Sequence, residues 1–562
     1  MNASQLPEWV SELARQYFAG RTALFILHGN VHDIVWYEDR EFLLRDFLLQ
    51  AVFRRRELVL TYNRATGLGY RDENTQKDIE ALTRVYFERT VPPKAPSELF
   101  PFLHRYFLRR LAEGRKMALV VEFAETLTPA VGASLTSEER ATLLYFLRWA
   151  QDPLFLRSDI TVILLTESLS ELHPKLISNP HVSAIRVPFP DEQVRTAFIS
   201  ALLTQKMPDL LSKIIPSPTV SSLAAAFGGL TLVQVQKLLA EVSESRSPWA
   251  ETQLLERKKM LVEAQAGGLL EFMSTHLTLE AVAGHHAAKA YLRSVALALR
   301  AGHTSVIPMG FLITGPVGTG KTFLIRCFAG EIGIPMVQLK NFRSPWVGET
   351  EANLERLLAL LEALAPIAVV IDEADTQLGG RDQEGDSGVS ARVFGRLAHF
   401  MSDPQHRGRI LWFLLTARPD LLPVDFKRQG RAEEHIPLFA PTTPEEKKEV
   451  VQALAQRLGL SAILLPEKGW EELPDFSGAE WEAILTRARF RAVIEAKDTP
   501  DWSDVTAVLE EFIPPTYPEE VAYMTYVAVL ECTRRSLLPP MYQNLSREEL
   551  FQRVERLRLH LR

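Results

Sequence analysis

Residues 315–322 read GPVGTGKT: three glycines, a lysine and a hydroxyl within eight positions, set between the apolar run MGFLIT and the helically spaced FLIRCFAGEIG. Glycines at 315, 318 and 320 allow a backbone to curl until its N–H groups converge on one point, an arrangement suited to a phosphate. In that reading Lys321 neutralises the outer phosphate oxygens and Thr322 ligates Mg²⁺. Pro316, Val317 and Thr319 complete the loop, and Phe323 lies in the first turn of a helix whose positive N-terminus faces the anion. Further along, IAVVIDEAD (367–375) ends a β-branched run in Asp372 and Glu373. Asp372 is expected to complete the Mg²⁺ site, and Glu373 to orient water as a base against the terminal phosphate. An apolar strand ending in Asp-Glu is common by itself; following a phosphate loop, it marks a site.

Positioning these groups takes a strand, loop and helix followed by a second buried strand, as in an α/β domain with a parallel sheet. The totals fit several such domains: 562 residues, 46% of them hydrophobic. Lys plus Arg minus Asp plus Glu is 63 − 70 = −7, which argues against general affinity for nucleic acid or anionic membrane. Cys327 and Cys532 lack the spacing of a disulfide framework or a zinc site. The start, MNASQLPEWVSELARQYF, has no basic region followed by an unbroken apolar run, so no secretion signal is expected. The most apolar window, LLALLEALAPIAVVI, is interrupted by Glu362 and Pro366, so no membrane span is expected either. A soluble, cytoplasmic protein is the expectation.

In this order the segments resemble the AAA (AAA+) ATPases, over about residues 279–512. LEAVAGHHAAKAYLR resembles the stretch that lies against adenine, which implies contacts from Val282, Ala283 and Gly284. SPWVGETEANL resembles the first pore loop and implies that Trp346 and Val347 grip a polypeptide in a central channel. KRQGRAEEH resembles the arginine-finger segment, so Arg428 and Arg431 would reach the neighbouring subunit's nucleotide. FSGAEWEAIL resembles the start of the sensor-2 helix in a small helical lid, with Ala479 facing the nucleotide. One position departs from the pattern: LTARPD (415–420) carries Ala417 where the family has the sensor-1 asparagine that holds the attacking water. A methyl group cannot orient water, which leaves Thr416 as a substitute or hydrolysis slow.

The chain also repeats itself. Residues 160–203, starting ITVILLTESL, parallel residues 409–454, starting RILWFLLTAR; Thr166 to Pro190 spans 24 positions and Thr416 to Pro441 spans 25. KMALVVEFAE then falls at the aspartate-bearing strand, FGGLTLVQVQKLL at the lid, and FILHGNV beside FLITGPV. Residues 25–35, FILHGNVHDIV, thus read as a phosphate loop that has lost its chemistry. His32, Asp33 and Ile34 follow Val31 where the glycines, lysine and hydroxyl should be; Asp33 would repel phosphate, and Glu122 replaces the metal aspartate. His28 and His32 lie in strand and turn without a third ligand, so no metal is expected there.

The fold expected is α/β: tandem P-loop NTPase (AAA+) folds, each a parallel sheet flanked by helices with a small helical lid, the first degenerate, followed by a helical C-terminal tail. The expected parts are a degenerate domain with lid (1–245) that binds no nucleotide, a connecting helix (246–273), an active ATPase domain (274–440), its lid (441–512) and the tail (513–562). Two ATPase-like halves, with GDSGVSARVFGRLAHFM (385–401), resemble a narrower AAA family encoded in cyanobacteria and algal chloroplasts, with bacterial relatives. The resemblance implies ATP and Mg²⁺ as cofactors, ATP/ADP exchange, self-association into a ring with a hexamer as the expected form, and a protein client. The rival readings are a nucleotide-gated scaffold with slow or no hydrolysis and, disfavoured by charge and by the aromatic pore loop, a nucleic-acid remodeller.

Overall fold

The structure is a computed structural model of the chain. It describes residues 6–20, 22–88, 90–130, 135–340, 347–379, 389–460, 463, 465–497, 499–513 and 517–561. The chain forms two compact units, Met1–Gly267 with Ser344–Leu364, and Gly268–Arg343 with Ala365–Arg562.

In the first unit the runs that read as continuous apolar sequence become the central strands. Met117–Val121 and Ile160–Thr166 are buried along their whole length, as strands covered on both faces must be. The six-stranded sheet runs Gly67–Tyr70, Leu58–Asn63, Met117–Val121, Ile160–Thr166, Leu24–Gly29, Val182–Val187. All neighbours are parallel except the edge hairpin formed by Leu58–Asn63 and Gly67–Tyr70. An aromatic core built on Phe100, Phe107, Phe146, Trp149 and Phe155 fills one face of the sheet.

The second unit repeats the design. Its sheet runs Leu270–Phe272, Met336–Leu339, Ile367–Ile371, Ile410–Thr416, Gly310–Thr314, Glu434–Pro437, antiparallel only at the Leu270–Phe272 edge. Setting the antiparallel edge strand aside, both sheets have their parallel strands in the order second, third, fourth, first, fifth. The internal repeat is therefore a repeat of topology, and each half is an α/β domain with a mostly parallel six-stranded sheet. In the second unit the helices Pro444–Arg457, Gly478–Ile494 and Trp502–Glu511 form a lid around Trp470, Phe476 and Trp481.

One feature of the first unit has no counterpart in the sequence reading. Between the phosphate-loop remnant and the following helix lies a hairpin, Ile34–Tyr37 with Arg40–Leu43, closed by Glu38 and Asp39 at φ +48° and +56°. Two left-handed residues suit a two-residue hairpin turn, but without Gly or Asn they leave no signature in sequence.

Candidate functional site

Residues 315–322 form the expected turn at the end of a buried strand. Gly315 has φ +132°, and a Cβ there would lie 2.0 Å from the Leu438 carbonyl oxygen; Gly318 has φ +80°, and a Cβ there would lie 2.8 Å from Ser477 Oγ. At Gly315 the neighbouring backbone bars a side chain, and at Gly318 the left-handed φ strains one. Among the described residues nothing accepts a hydrogen bond from the backbone N–H groups of Val317 through Thr322, leaving a row of donors at the start of helix Lys321–Ile332. Lys321 Nζ folds over the loop onto the Gly315 and Pro316 carbonyls, 2.8 Å from each. Burial holds its ammonium down to about 8, against the pull of Asp372 and Asp375 in the other direction. Thr322 Oγ1 donates to Asp372 Oδ2 at 2.8 Å, which places two hard oxygen ligands side by side. Glu373 follows in the left-handed region at φ +48°, exposed; such strain in a non-glycine residue costs on the order of 1 kcal/mol and is typical of functional sites. The residues fit a triphosphate with its magnesium: the loop donors and Lys321 meet phosphate oxygens, and Thr322 with Asp372 would hold the ion.

A cavity of about 640 Å³ adjoins the loop. Val282, Ala283, Gly284, Phe323 and Ala479 all line it. Gly284 is fixed by its N–H to Glu449 (3.0 Å), and Val282 by its carbonyl, which accepts from Lys289 Nζ. The lid helix Gly478–Ile494 is closed by a Ser477–Glu480 capping box, and its Ala479 N–H donates to Gly318 O at 3.3 Å, joining lid to loop. Sequence reasoning missed His285, whose Nε2 lies 3.0 Å from Thr319 O and whose position beside Gly284 was the available signal. It also missed Leu537, Leu538, Pro539 and Pro540, cavity-lining residues with no motif to announce them.

Beyond the loop, Thr416 is engaged within its own chain. Its hydroxyl, 2% exposed, donates to Asp375 Oδ1 (2.6 Å) and accepts from Arg418 N–H (2.8 Å), which leaves a single lone pair and no proton to donate. Placing an amide there by Ala417→Asn is expected to raise steady-state ATP turnover about tenfold; an unchanged kcat would show that position 417 does not limit hydrolysis. The two finger arginines also part company. Arg428 is exposed, but Arg431 is only 6% exposed, donates to Asp425 O and lies 3.7 Å from Asp425 Oδ1, so it is held inside its own chain rather than turned outward. Trp346 lies outside the described residues, as does the side chain of Val347 at the start of helix Val347–Leu364.

The first unit carries the same framework with different chemistry. Gly29, φ +95°, keeps the turn after the first strand, and Phe123, φ +55°, occupies the left-handed position that Glu373 occupies after the third. Asp33 does more than repel phosphate: it is 4% exposed and accepts from Asn30 Nδ2, Ile34 N, Leu232 N and Val233 N at 2.8–3.0 Å. The last two are free donors at the N-terminus of the lid helix Leu232–Glu244, so an internal carboxylate pins this lid. Burial pushes the Asp33 carboxyl up from its ordinary range, with the four donors pulling it back. Asp33→Ala is expected to destabilise the first unit by about 2–4 kcal/mol, since it strands buried donors. The urea midpoint and hydrogen exchange across residues 232–244 check this; exchange as slow as in wild type would show that the lid does not depend on the carboxylate.

Residues 2–188 match the family described as "AAA+ chaperone, N-terminal Rossmann-like domain", and residues 311–439 match "ATPase family associated with various cellular activities (AAA)". The chain is 29% identical over 304 residues, 52% of its length, to the uncharacterized AAA domain-containing protein ycf46 of Trieres chinensis, and 27% identical over 302 residues to that of Gracilaria tenuistipitata var. liui. It is 30% identical over 190 residues, 34% of its length, to the cell division cycle protein 48 homolog of Archaeoglobus fulgidus. The matched span covers 60% of each ycf46 protein and 26% of the cell division cycle protein 48 homolog. The AAA domain implies ATP binding, and no helix among the described residues is long and apolar enough to cross a membrane. With a Rossmann-like N-terminal domain of the AAA+ chaperone type followed by an AAA domain that carries the phosphate loop, the chain belongs to the AAA+ ATPases.

Proposed function

We propose that the chain is a Mg²⁺-dependent ATPase that assembles as a ring, with a hexamer as the expected form, and remodels or threads a protein client. The observation that carries this reading is the join of Lys321, Thr322 and Asp372 at one loop, with Glu373 held exposed beside them. Lys321 and the loop N–H groups hold the triphosphate, and the magnesium ion supplies charge neutralisation when bound. Glu373 takes the proton of the attacking water, and Arg428 from a neighbouring copy offsets charge on the terminal phosphate. Arg431 acts from within, bracing the finger segment through Asp425. Threading through Trp346 and Val347 rests on the sequence resemblance, and the chaperone character of the N-terminal family supports a protein client. In this reading the first unit binds no nucleotide, because Phe123 and the buried Asp33 stand where catalytic and phosphate-binding groups would be needed.

Mixing subunits tests assembly and chemistry together. Lys321→Ala leaves Arg428 but lacks the loop lysine, and Arg428→Ala has the reverse defect. If fingers act in trans, the mixture hydrolyses ATP faster than either variant alone; a mixture no faster than the sum of its parts would sink the ring reading. A second reading is favoured by Ala417 and the engaged Thr416 hydroxyl: a nucleotide-gated scaffold that binds ATP tightly and turns it over negligibly at every protein concentration.

A further inference from the structure

The C-terminal tail runs from the finger segment to the nucleotide cavity, and each step of its course has a partner. At its first end Glu531, closing the helix Pro518–Glu531, accepts from Lys427 Nζ, the residue before Arg428; its carbonyl lies 2.7 Å from His435 Nδ1. His435 is 6% exposed, and its other nitrogen lies 3.1 Å from Lys427 O and 3.0 Å from Ala432 O. Both ring nitrogens thus face oxygen acceptors, which outweigh the effect of burial and raise the ring's pKa above its ordinary value. Next, Arg534 makes a bidentate pair with Glu434 (2.8 and 2.6 Å) and lies 4.6 Å over the Tyr291 ring, while Thr533 Oγ1 donates to Glu434 and accepts from His435 N–H. Then Leu537, 8% exposed, joins the core cluster that contains Leu279 and Val282. Finally Leu537, Leu538, Pro539 and Pro540 border the cavity, and Tyr542 packs 5.3 Å from Phe439, another lining residue.

The residues that the tail brings to the cavity, Leu537 to Pro540, are all apolar. Phosphates belong to the loop donors and Lys321. Leu537 and Val282 both line the cavity, and an apolar wall suits a base and its sugar rather than phosphates. Two successive prolines fix φ and carry no N–H, so the wall is stiff and offers no backbone donor there.

We infer that residues 537–540 of the tail are a binding element of the nucleotide site: they form part of the wall for the nucleoside moiety of ATP and govern how fast nucleotide leaves. The inference rests on the reading of residues 315–322 as an ATP site. Because Glu531 of the same tail holds the residue next to Arg428, nucleotide occupancy and the position of the finger segment are borne by one piece of chain.

Stopped-flow binding of N-methylanthraniloyl-ATP to the full chain tests this with Leu538→Ala, Arg534→Ala and Lys321→Ala. Leu538→Ala removes wall, and Arg534→Ala removes the anchor without touching the cavity. Each is expected to raise the dissociation rate about three- to tenfold with little change in the association rate, as contacts made only after encounter do. Saturating ATP is also expected to slow hydrogen exchange in wild-type residues 537–543, a measurement that depends on no variant folding. Unchanged dissociation in both tail variants, or no protection of residues 537–543, while Lys321→Ala loses binding, would overturn the tail assignment alone. Full binding by Lys321→Ala would overturn the ATP-site reading and the tail assignment with it.

Discussion

Glu373→Gln is expected to bind MgATP as well as the wild-type chain and to hydrolyse it at least about 100-fold more slowly. The substitution keeps the size of the side chain and removes only its ability to take a proton. It leaves intact the parts that hold nucleotide: Lys321 on the loop, Thr322 with Asp372, and the Ala479–Gly318 contact that joins lid to loop. The left-handed backbone at position 373 tolerates Gln as it tolerates Glu. Steady-state turnover measured beside equilibrium nucleotide affinity separates the two effects. Parallel loss of both would mean that Glu373 supports binding rather than the attack of water, and unchanged turnover would leave the base unassigned.

Lys321 carries the second large effect, and it depends on pH. Lys321→Ala is expected to weaken ATP binding about 10- to 100-fold through loss of a charged donor to phosphate. In the wild-type chain burial has already lowered the ammonium to about 8 from its ordinary value of 10.5. A lysine lowered in the fold binds its proton more weakly there than in the unfolded chain. The nucleotide-free domain accordingly gains stability as pH rises from about 8 toward 10.5 and loses that gain as pH falls back. ATP reverses the balance, since a polyanion beside Nζ favours the charged form. ATP affinity should therefore hold steady below pH 8, fall as pH rises above it with proton uptake on binding, and lose this dependence in Lys321→Ala. Calorimetry in buffers of different ionisation enthalpy reads the proton directly, and an affinity flat from pH 7 to 9.5 would contradict the lowered lysine.

Fold and site were legible wherever the determining residues lie close together in the chain. The order of apolar runs anticipated two similar sheets, and the offset of about one residue between residues 160–203 and 409–454 corresponds to the same strand order in both. The hairpin at residues 34–43 escaped notice because Glu38 and Asp39 adopt a turn that their residue types do not advertise. Arg428 and Arg431 look equivalent three positions apart; burial of one against Asp425 distinguishes them, and burial follows from how segment 424–431 folds back on itself.

The sequence by itself determined which positions of the second half carry the glycines, lysine, hydroxyl and carboxylates of a phosphate-loop pattern, and which of these residues the first half lacks. A contiguous pattern of glycines, lysine and hydroxyl fixes backbone turn, charge and metal ligand within a few residues. Tertiary structure alone decided which remaining groups are free and which are spent. Thr416 is hydrogen-bonded to Asp375 across 41 positions, Glu434 is clamped by Arg534 across 100, and Asp33 holds Leu232 across 199. Such pairings depend on which surfaces the two sheets and their lids bring together and strip of water, where a buried donor or acceptor must find a partner at whatever distance along the chain one lies.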